Sequence, residues 1–251
     1  MQWEIVVTVV LGAAAGGFVN GLAGFGTALM SLGIWLQAMP AEQAVPIVAA
    51  MSVISGVQSL WLTRAGLSKG FKRLPRFLIP ALVAMPLGTS ILVWVDASVI
   101  KLTIACLMLL YGAFLIARHT LPQMKQDHPA ADALVGFASG LLGGAASLSG
   151  VLPTMWAALQ PWSKQETSAI LRPFNVVVLG LATAVYVWRG YFTAHTLILM
   201  AIAIPATLLA AQAGVALYKR LSDGAFRKLL LWLMIGGGVS LIVREVVFAA
   251  A

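Results

Sequence analysis

Long apolar runs alternate with short polar connections along nearly the whole chain. A helix of about 20 residues crosses a hydrocarbon core of roughly 30 Å, and apolar runs of about that length recur from one end to the other. The pattern therefore predicts an all-α integral membrane protein. The runs cover approximately residues 5–38, 44–63, 77–95, 98–117, 133–159, 167–188, 194–218 and 229–248.

A pattern of small and polar residues occurs twice. GGFVNGLAGFG at 16–26 matches VGFASGLLGGA at 135–145, with Gly17 on Gly136 and Asn20 on Ser139. A match that persists along half the chain indicates an internal duplication. We predict a first membrane repeat at residues 1–121, a cytoplasmic linker at 122–132 and a second membrane repeat at 133–251. Further pairs are Arg64 with Arg189, Pro80 with Pro205, Gly88 with Gly214, Asp96 with Asp223 and Lys101 with Lys228.

Glycines interrupt the first apolar run of each half. The runs 5–38 and 133–159 are too long for one crossing and short for two. We therefore predict that each half begins with a broken, re-entrant helical hairpin with arms of about 12 to 15 residues. The turns are placed at residues 21–26 and 140–144, and three transmembrane helices follow in each half. A single long helix is the alternative to each hairpin.

Basic residues predict the orientation. Loops rich in lysine and arginine stay in the cytoplasm, and the strongly basic connections lie at 64–76 and 219–228. They share one side only if the first run of each half enters and leaves the membrane by the same face. Each half then has an odd number of crossings, so we predict two inverted repeats with both termini outside the cell.

Composition narrows the class of protein further. Hydrophobic residues make up 61% of the 251 positions and charged residues 10%, against roughly half and a quarter in soluble domains. The net charge of +8 sits in short connections between apolar runs, as the positive-inside rule requires, so we expect no nucleic-acid partner. Cys106 is the only cysteine, which excludes a disulfide or a thiolate metal cluster within one chain. We expect no cofactor and no metal site.

The glycine turns are the first candidates for a binding site. Discontinuous helices at matching places in inverted repeats mark the binding site of many transporters, and the N-terminus of a half-helix favours an anion. Arg172, inside an apolar run beside Pro173, offers a planar fork of donors. Alternatively, the glycines only permit close packing and the arginine snorkels to the interface. The candidate substrate-binding residues are Arg172, Asn175, Asn20, Gly24, Gly26, Thr27, Ser139, Gly143, Gly144, Ser147 and Gln58.

Carboxylates and histidines are predicted to lie away from the centre of the membrane. A cation site or a carboxylate proton relay would need acidic groups there, and an intramembrane hydrolase would need paired aspartates or a serine near a histidine. We therefore expect no catalytic residues and no enzyme. Glu4, Glu42, Asp96, Glu166, Asp223 and Glu245 lie at the ends of apolar runs, His119 and His128 lie in the linker, and His195 begins a helix.

The glycine segments also suggest a family. GGFVNGLAGFGTALMSLGIWL and VGFASGLLGGAASLSGVLPTMW, at the head of each half, resemble segments of the sulfite exporter TauE/SafE family of bacterial membrane permeases. The resemblance covers nearly the whole chain, including the polar segments with Glu42 and Glu166, although Ala145 stands at the position of Gly26. It implies an inner-membrane permease for sulfur-containing anions such as sulfite or sulfoacetate.

The favoured function is export of a small anion across the bacterial inner membrane by alternating access between the two halves. The anion is sulfite, sulfoacetate or another sulfonate or carboxylate, and the lipid bilayer is the other partner. A transporter of a cation or a neutral metabolite is the second possibility. A non-transporting membrane subunit or an intramembrane enzyme is the third. The sequence does not give the oligomeric state or a coupling ion.

Overall fold

The chain folds as a bundle of helices. The computed structural model describes residues 3–63, 73–92, 97–117, 128–162 and 164–222, and the single positions 225, 228, 229, 232, 233, 235 and 239. Throughout these residues the regular secondary structure is α-helical. The described helices are α1 Trp3–Ala23, α2 Thr27–Trp35, α3 Ala41–Thr63, α4 Leu74–Ile91, α5 Ala97–Ala117, α6 Pro129–Ala146, α7 Val151–Leu159, α8 Lys164–Trp188 and α9 Ala194–Arg220.

Six of the described helices are long and apolar enough to cross a membrane, namely α1, α3, α4, α6, α8 and α9. Large apolar side chains on their outer faces are exposed, as lipid-facing positions require. The prediction of a multi-pass, all-helical membrane protein is confirmed at this level. One boundary differs, because α6 begins at Pro129, inside the segment predicted as the linker.

Each half begins with a hairpin made of one long and one short helix. α2 folds back along α1, where Trp35 Nε1 donates to the carbonyl oxygen of Val9 at 3.2 Å. α7 folds back along α6, where Trp156 Nε1 donates to Asp132 Oδ1 at 2.7 Å. The predicted arm length of about 12 to 15 residues is wrong, since α1 and α6 have 21 and 18 residues and α2 and α7 have 9 each. The breaks fall late in each run because most of the glycines remain helical.

Glycines inside α1 are contact points with α9. A β-carbon on Gly17 would lie 2.5 Å from the carbonyl oxygen of Thr207, and one on Gly21 would strike the backbone of Ala211. Close backbone approach of this kind is how small residues join helices in membranes. Because later residues of α1 meet later residues of α9, the two helices run parallel.

The same contact joins α6 to α4. β-carbons on Gly140 and Gly144 would strike the carbonyl oxygens of Ala81 and Met85, so α6 and α4 also run parallel. The predicted turn at 140–144 is therefore wrong, because these residues lie inside α6 and the chain turns after Ala146.

The second turn lies one helical turn later than the sequence match predicts. Gly17 and Gly140 occupy equivalent positions. Gly17 faces the carbonyl oxygen of Thr207, seven residues before Gly214, and Gly140 faces that of Ala81, seven residues before Gly88. The sequence match paired Gly17 with Gly136 instead. Both motifs repeat small residues every fourth position, so a shift of four residues matches them almost as well.

Three helix ends meet at one end of the bundle. The Arg73 guanidinium, just before α4, lies 5.1 Å from the Trp162 ring centre, just before α8. Near the start of α8, Ser168 Oγ lies 2.9 Å from the Tyr218 hydroxyl of α9. We call this the basic end, because Arg73, Arg76, Lys219 and Arg220 lie in these segments. Residues 64–72 and 118–127, on which the orientation prediction also depends, lie outside the described residues.

The opposite end, which we call the far end, holds the C-terminal ends of α4 and α8. Arg189 Nη1 donates to the carbonyl oxygen of Thr89 at 2.8 Å. α4 and α8 therefore run in the same direction, from the basic end to the far end. α3 runs the other way, because it starts beside the Trp35 end of α2 and reaches Asn20 of α1 only at Ser52 and Ser55. Asn20 Nδ2 donates to Ser55 Oγ at 2.5 Å.

Candidate functional site

The two chain reversals depend on left-handed backbone. Gly24 and Gly26, between α1 and α2, have φ of 82° and 97°, which glycine adopts without steric cost. Ser147, after α6, has φ 57° and is the only non-glycine residue with positive φ in the described part of the chain. Its conformation is supported because its Oγ donates to the carbonyl oxygen of Val45 at 3.1 Å. Both turns therefore stop their long helices inside the bundle.

The two turns meet at one small cavity. Its interior leaves about 10 Å³ for the centre of a water-sized sphere, which is room for about one water molecule. It is lined by the turn before α2 and the first turn of α2, by the turn before α7 and the first residue of α7, and by one residue of α3 and two of α8. The lining residues are Phe25, Gly26, Thr27, Ala28, Leu29, Ser52, Ser147, Leu148, Gly150, Val151, Asn175 and Leu179.

Two helix N-termini point into this cavity. α2 starts after Gly26 and α7 starts after Gly150, and no described side chain caps either start. The first N–H groups of a helix have no partner within the helix, and the helix dipole places partial positive charge there. These two helix starts therefore bring partial positive charge to the cavity, although no lysine or arginine is among its described lining residues.

Hydroxyl and amide groups complete the lining. Thr27 Oγ1 is buried and has no hydrogen-bond partner among the described residues. Asn175 Oδ1 accepts a hydrogen bond of 2.5 Å from Ser149 Oγ. Gly26, Thr27, Ser147 and Asn175, all predicted from the sequence, thus lie around the same cavity.

Arg172 lies beside the first turn and outside the set of residues that line the cavity. It is 1% exposed, and its Nη2 donates to the carbonyl oxygen of Gly21 at 3.3 Å. Its guanidinium carbon lies 5.2 Å from the centre of the Tyr218 ring. Nε and Nη1 have no hydrogen-bond partner within the described ranges. A β-carbon on Gly24 would lie 2.8 Å from Arg172 Cγ, so only glycine leaves room for the arginine.

The remaining candidates are spread more widely. Asn20 supports the cavity wall from behind, because its Nδ2 donates to Ser55 Oγ and to the carbonyl oxygen of Ser52, which lines the cavity. Ser139 Oγ donates to the carbonyl oxygen of Val135 in its own helix, which is a helix contact. Gln58 is partly buried on α3 outside the lining.

Gly143 and Gly144 also serve packing. A β-carbon on Gly143 would lie 3.0 Å from Ser149 Cβ, and one on Gly144 would strike the carbonyl oxygen of Met85. They hold α6 in place behind the turn and are absent from the cavity lining. They were predicted as site residues because the sequence match placed the second turn four residues too early.

Sequence reasoning missed several residues that the structure makes prominent. Ser52 lines the cavity from α3, and Gly150 precedes α7. Asp132, assigned to the linker, is buried and receives the Trp156 hydrogen bond, with Arg76 Nη1 at 3.8 Å. Its place after Pro129, three residues into a possible helix, was the available signal. In the described residues no group of histidine, cysteine or acidic side chains could hold a metal ion.

Comparison with known families agrees with this architecture. A sequence model described as "Sulfite exporter TauE/SafE" matches residues 9–241 of the chain. No curated protein gives a significant match. The matched range covers the cavity lining, most of α1 and all the other described membrane-length helices. The chain therefore belongs to the sulfite exporter TauE/SafE family, a family of membrane transporters.

Proposed function

We propose that this protein exports a small sulfur-containing or organic anion across the bacterial inner membrane, through the cavity at which α2 and α7 begin. Sulfite, sulfoacetate and other sulfonates or carboxylates are the proposed substrates. The family supports a transporter of sulfite-type anions. The observation that carries the anion assignment is the convergence of two uncapped helix N-termini on one cavity.

The chemistry of the lining favours an anion over a cation. An oxyanion would accept hydrogen bonds from the first N–H groups of α2 and α7, and from the Thr27 hydroxyl, which lacks a partner in the described structure. Anions bind at helix N-termini because N–H groups and the dipole act together. A cation would need oxygen ligands in place of these donors.

Helix directions support inverted repeats. α1 runs parallel to α9, and α6 runs parallel to α4. α4 and α8 both start at the basic end, whereas α9 ends there. α1 and α6, the first helices of the two halves, therefore point in opposite directions. Inverted repeats are a common basis of alternating access around a fixed central site, and we propose that mechanism here.

The size of the cavity indicates which conformation this is. Room for about one water molecule is too little for sulfite, which has a sulfur and three oxygens. We propose that the structure is a closed conformation, and that transport requires the hairpins to separate first toward one end of the bundle and then toward the other. The basic end would face the cytoplasm.

Efflux from proteoliposomes tests the proposal. The purified full chain is reconstituted in vesicles loaded with sulfite or sulfoacetate at alkaline pH, and anion release is followed against protein-free vesicles. We expect release of at least one of these anions and no release of sodium or of a neutral sugar. Release of a cation or neutral solute would favour the second class of transporter. No release of any solute would favour a non-transporting subunit.

A further inference from the structure

Toward the basic end, α3 carries buried serines beyond the cavity. Ser52 lines the cavity from α3, and α3 runs from there toward the basic end. Ser55 and Ser59 follow three and seven residues later, which places all three hydroxyls on one face of the helix. All three serines are buried.

The corresponding path toward the far end is apolar. Asn175 lines the cavity from α8, and α8 runs from there toward the far end. Val178 and Ala182 follow at the same spacing, and Tyr186 lies one turn beyond, all fully buried. The Tyr186 hydroxyl donates to the carbonyl oxygen of Gly144, which joins this wall to α6. An anion moving this way would lose its hydrogen bonds to water and would find no polar groups on Val178 or Ala182 to replace them.

On the basic side, the register of two facing helices places Ser59 and Arg172 at the same level. α3 and α8 touch where a β-carbon on Gly56 would lie 2.6 Å from Val176 Cγ2. Ser59 on α3 and Arg172 on α8 each lie about one helical turn from this contact, toward the basic end. Two polar side chains thus stand between the cavity and the basic end.

Both side chains hold polar atoms that have no hydrogen-bond partner among the described residues. Ser59 Oγ, and Nε and Nη1 of Arg172, are buried without a hydrogen-bond partner in the described parts of the chain. Ser59 and Arg172 are each 1% exposed. Buried donors that stay unpaired are costly, and a ligand with several acceptor oxygens would satisfy them.

We infer that Ser59 and Arg172 form a second oxyanion subsite between the central cavity and the basic end, and that Val178, Ala182 and Tyr186 seal the opposite path in this conformation. The inference takes its ligand class from the proposed function. An anion from the basic end meets the guanidinium and the serine first. It then passes along Ser55 and Ser52 to the N-termini of α2 and α7.

Thiol accessibility tests the two paths without requiring transport. In a Cys106→Ser background, Ser59→Cys and Ala182→Cys are made in the full chain and exposed to a membrane-impermeant sulfonated maleimide in oriented vesicles. We expect Ser59→Cys to react from the side of Lys219 and Arg220. Ala182→Cys should react at least about 10-fold more slowly from either side, because the seal opens only in a minor conformation. Equal rates, or reaction of Ser59→Cys only from the far side, would overturn the inference.

Sulfite efflux provides the second measurement. Ser59→Ala removes one donor to the anion, and we expect efflux to fall about tenfold, since hydrogen bonds to charged groups are the stronger ones. Thr183→Val, also on α8, should leave efflux unchanged, because the Thr183 hydroxyl already donates to the carbonyl oxygen of Leu179 in its own helix. Unchanged efflux in Ser59→Ala would remove the serine from the subsite. If the parent releases no anion but the labelling pattern holds, the proposed function fails while the polar path stands.

Discussion

The hydroxyl of Thr27 is unfavourable for folding but useful for binding an anion. Its hydroxyl is buried at the start of α2 and lines the cavity, and it has no partner in the described residues. An unpaired buried hydroxyl costs about 1–3 kcal/mol. The hydroxyl therefore makes the folded protein less stable than a valine of the same shape would, unless a bound molecule pairs with it.

Thr27→Val should lower anion efflux while leaving stability unchanged or increased. The substitution removes the donor that the anion would use, and it also removes the unpaired hydroxyl. Thr207→Val is the matched control, because Thr207 Oγ1 already donates to the carbonyl oxygen of Ala13 at 3.2 Å and its loss should cost about 1 kcal/mol. Efflux assays and thermal unfolding in detergent measure both effects. Loss of stability in Thr27→Val would contradict the expectation.

Arg172 offers a second test at the residue scale. Arg172→Gln should reduce anion efflux roughly 10- to 100-fold, because a charge-assisted hydrogen bond contributes about 1.5–3 kcal/mol and each 1.4 kcal/mol is tenfold. Arg172→Lys should restore part of the flux, since it keeps the charge and loses the planar fork.

Arg189→Gln is the control for Arg172. Arg189 comes directly after the end of α8, the helix that carries Arg172. It is exposed and already donates hydrogen bonds to Thr89 and Ser90. We expect its replacement to leave efflux within about twofold of the parent, because surface pairs contribute little. An equal loss of flux in both variants would point to a general effect of positive charge and would remove the specific role of Arg172.

At the scale of helices, the glycine faces of α1 and α6 hold the bundle together. Each lies directly on the backbone of a helix from the other half, so no side chain can be added without moving a helix. Gly180 of α8 is different, because nothing in the described structure lies within 4 Å of the place where its β-carbon would stand.

Gly21→Ala and Gly140→Ala should each destabilise the protein by about 1–3 kcal/mol through overpacking. For a chain of this size the thermal transition falls by about 2–4 °C per kcal/mol. Gly180→Ala should instead raise stability by about 0.5–1 kcal/mol, because alanine favours a helix over glycine. Thermal unfolding in detergent distinguishes the two groups, and equal tolerance at all three positions would mean that the helix contacts are looser than described.

Sequence patterns predict these elements well and their registers poorly. Apolar runs and glycine clusters indicate broken hairpins at the head of each half, because hydrophobic length and helix breaking are local properties. The place of the second break is not local. Gly140 and Gly144 stay helical because they pack on Ala81 and Met85 of α4, and a single sequence does not reveal that contact.

The same reason limits prediction of the site. Arg172, Asn175 and Thr27 can be selected because polar groups are rare in apolar runs. Ser52 and Ser59 cannot, because a serine in a membrane helix usually bonds to its own backbone. What distinguishes these two serines is that they lie on the face of α3 that packs against the cavity and α8, and this appears only in the structure.

At the scale of the whole molecule, the membrane potential would be sufficient to drive the proposed export of an anion. Moving one negative charge outward gains about 2.3 kcal/mol per 100 mV, which supports a gradient of about 50-fold at 1.4 kcal/mol per tenfold step. We therefore expect sulfoacetate efflux from proteoliposomes to increase when an outward-driving potential is imposed, at equal pH and without sodium. Efflux that ignores the potential and follows only a proton or sodium gradient would contradict uncoupled export and direct attention to Asp132 as a coupling group.

The contact between α1 and α9 can form only late in the synthesis of the chain. Thr207 and Ala13, which touch in the finished protein, are 194 residues apart in the chain. A ribosome adds about 5–20 residues per second, so α1 enters the membrane about 10–40 s before its partner exists. During that interval its glycine face lacks the helix that covers it in the finished protein. A chain released from the ribosome before α9 is made would leave this glycine face uncovered. We therefore expect such truncated chains to be recognised by membrane quality control.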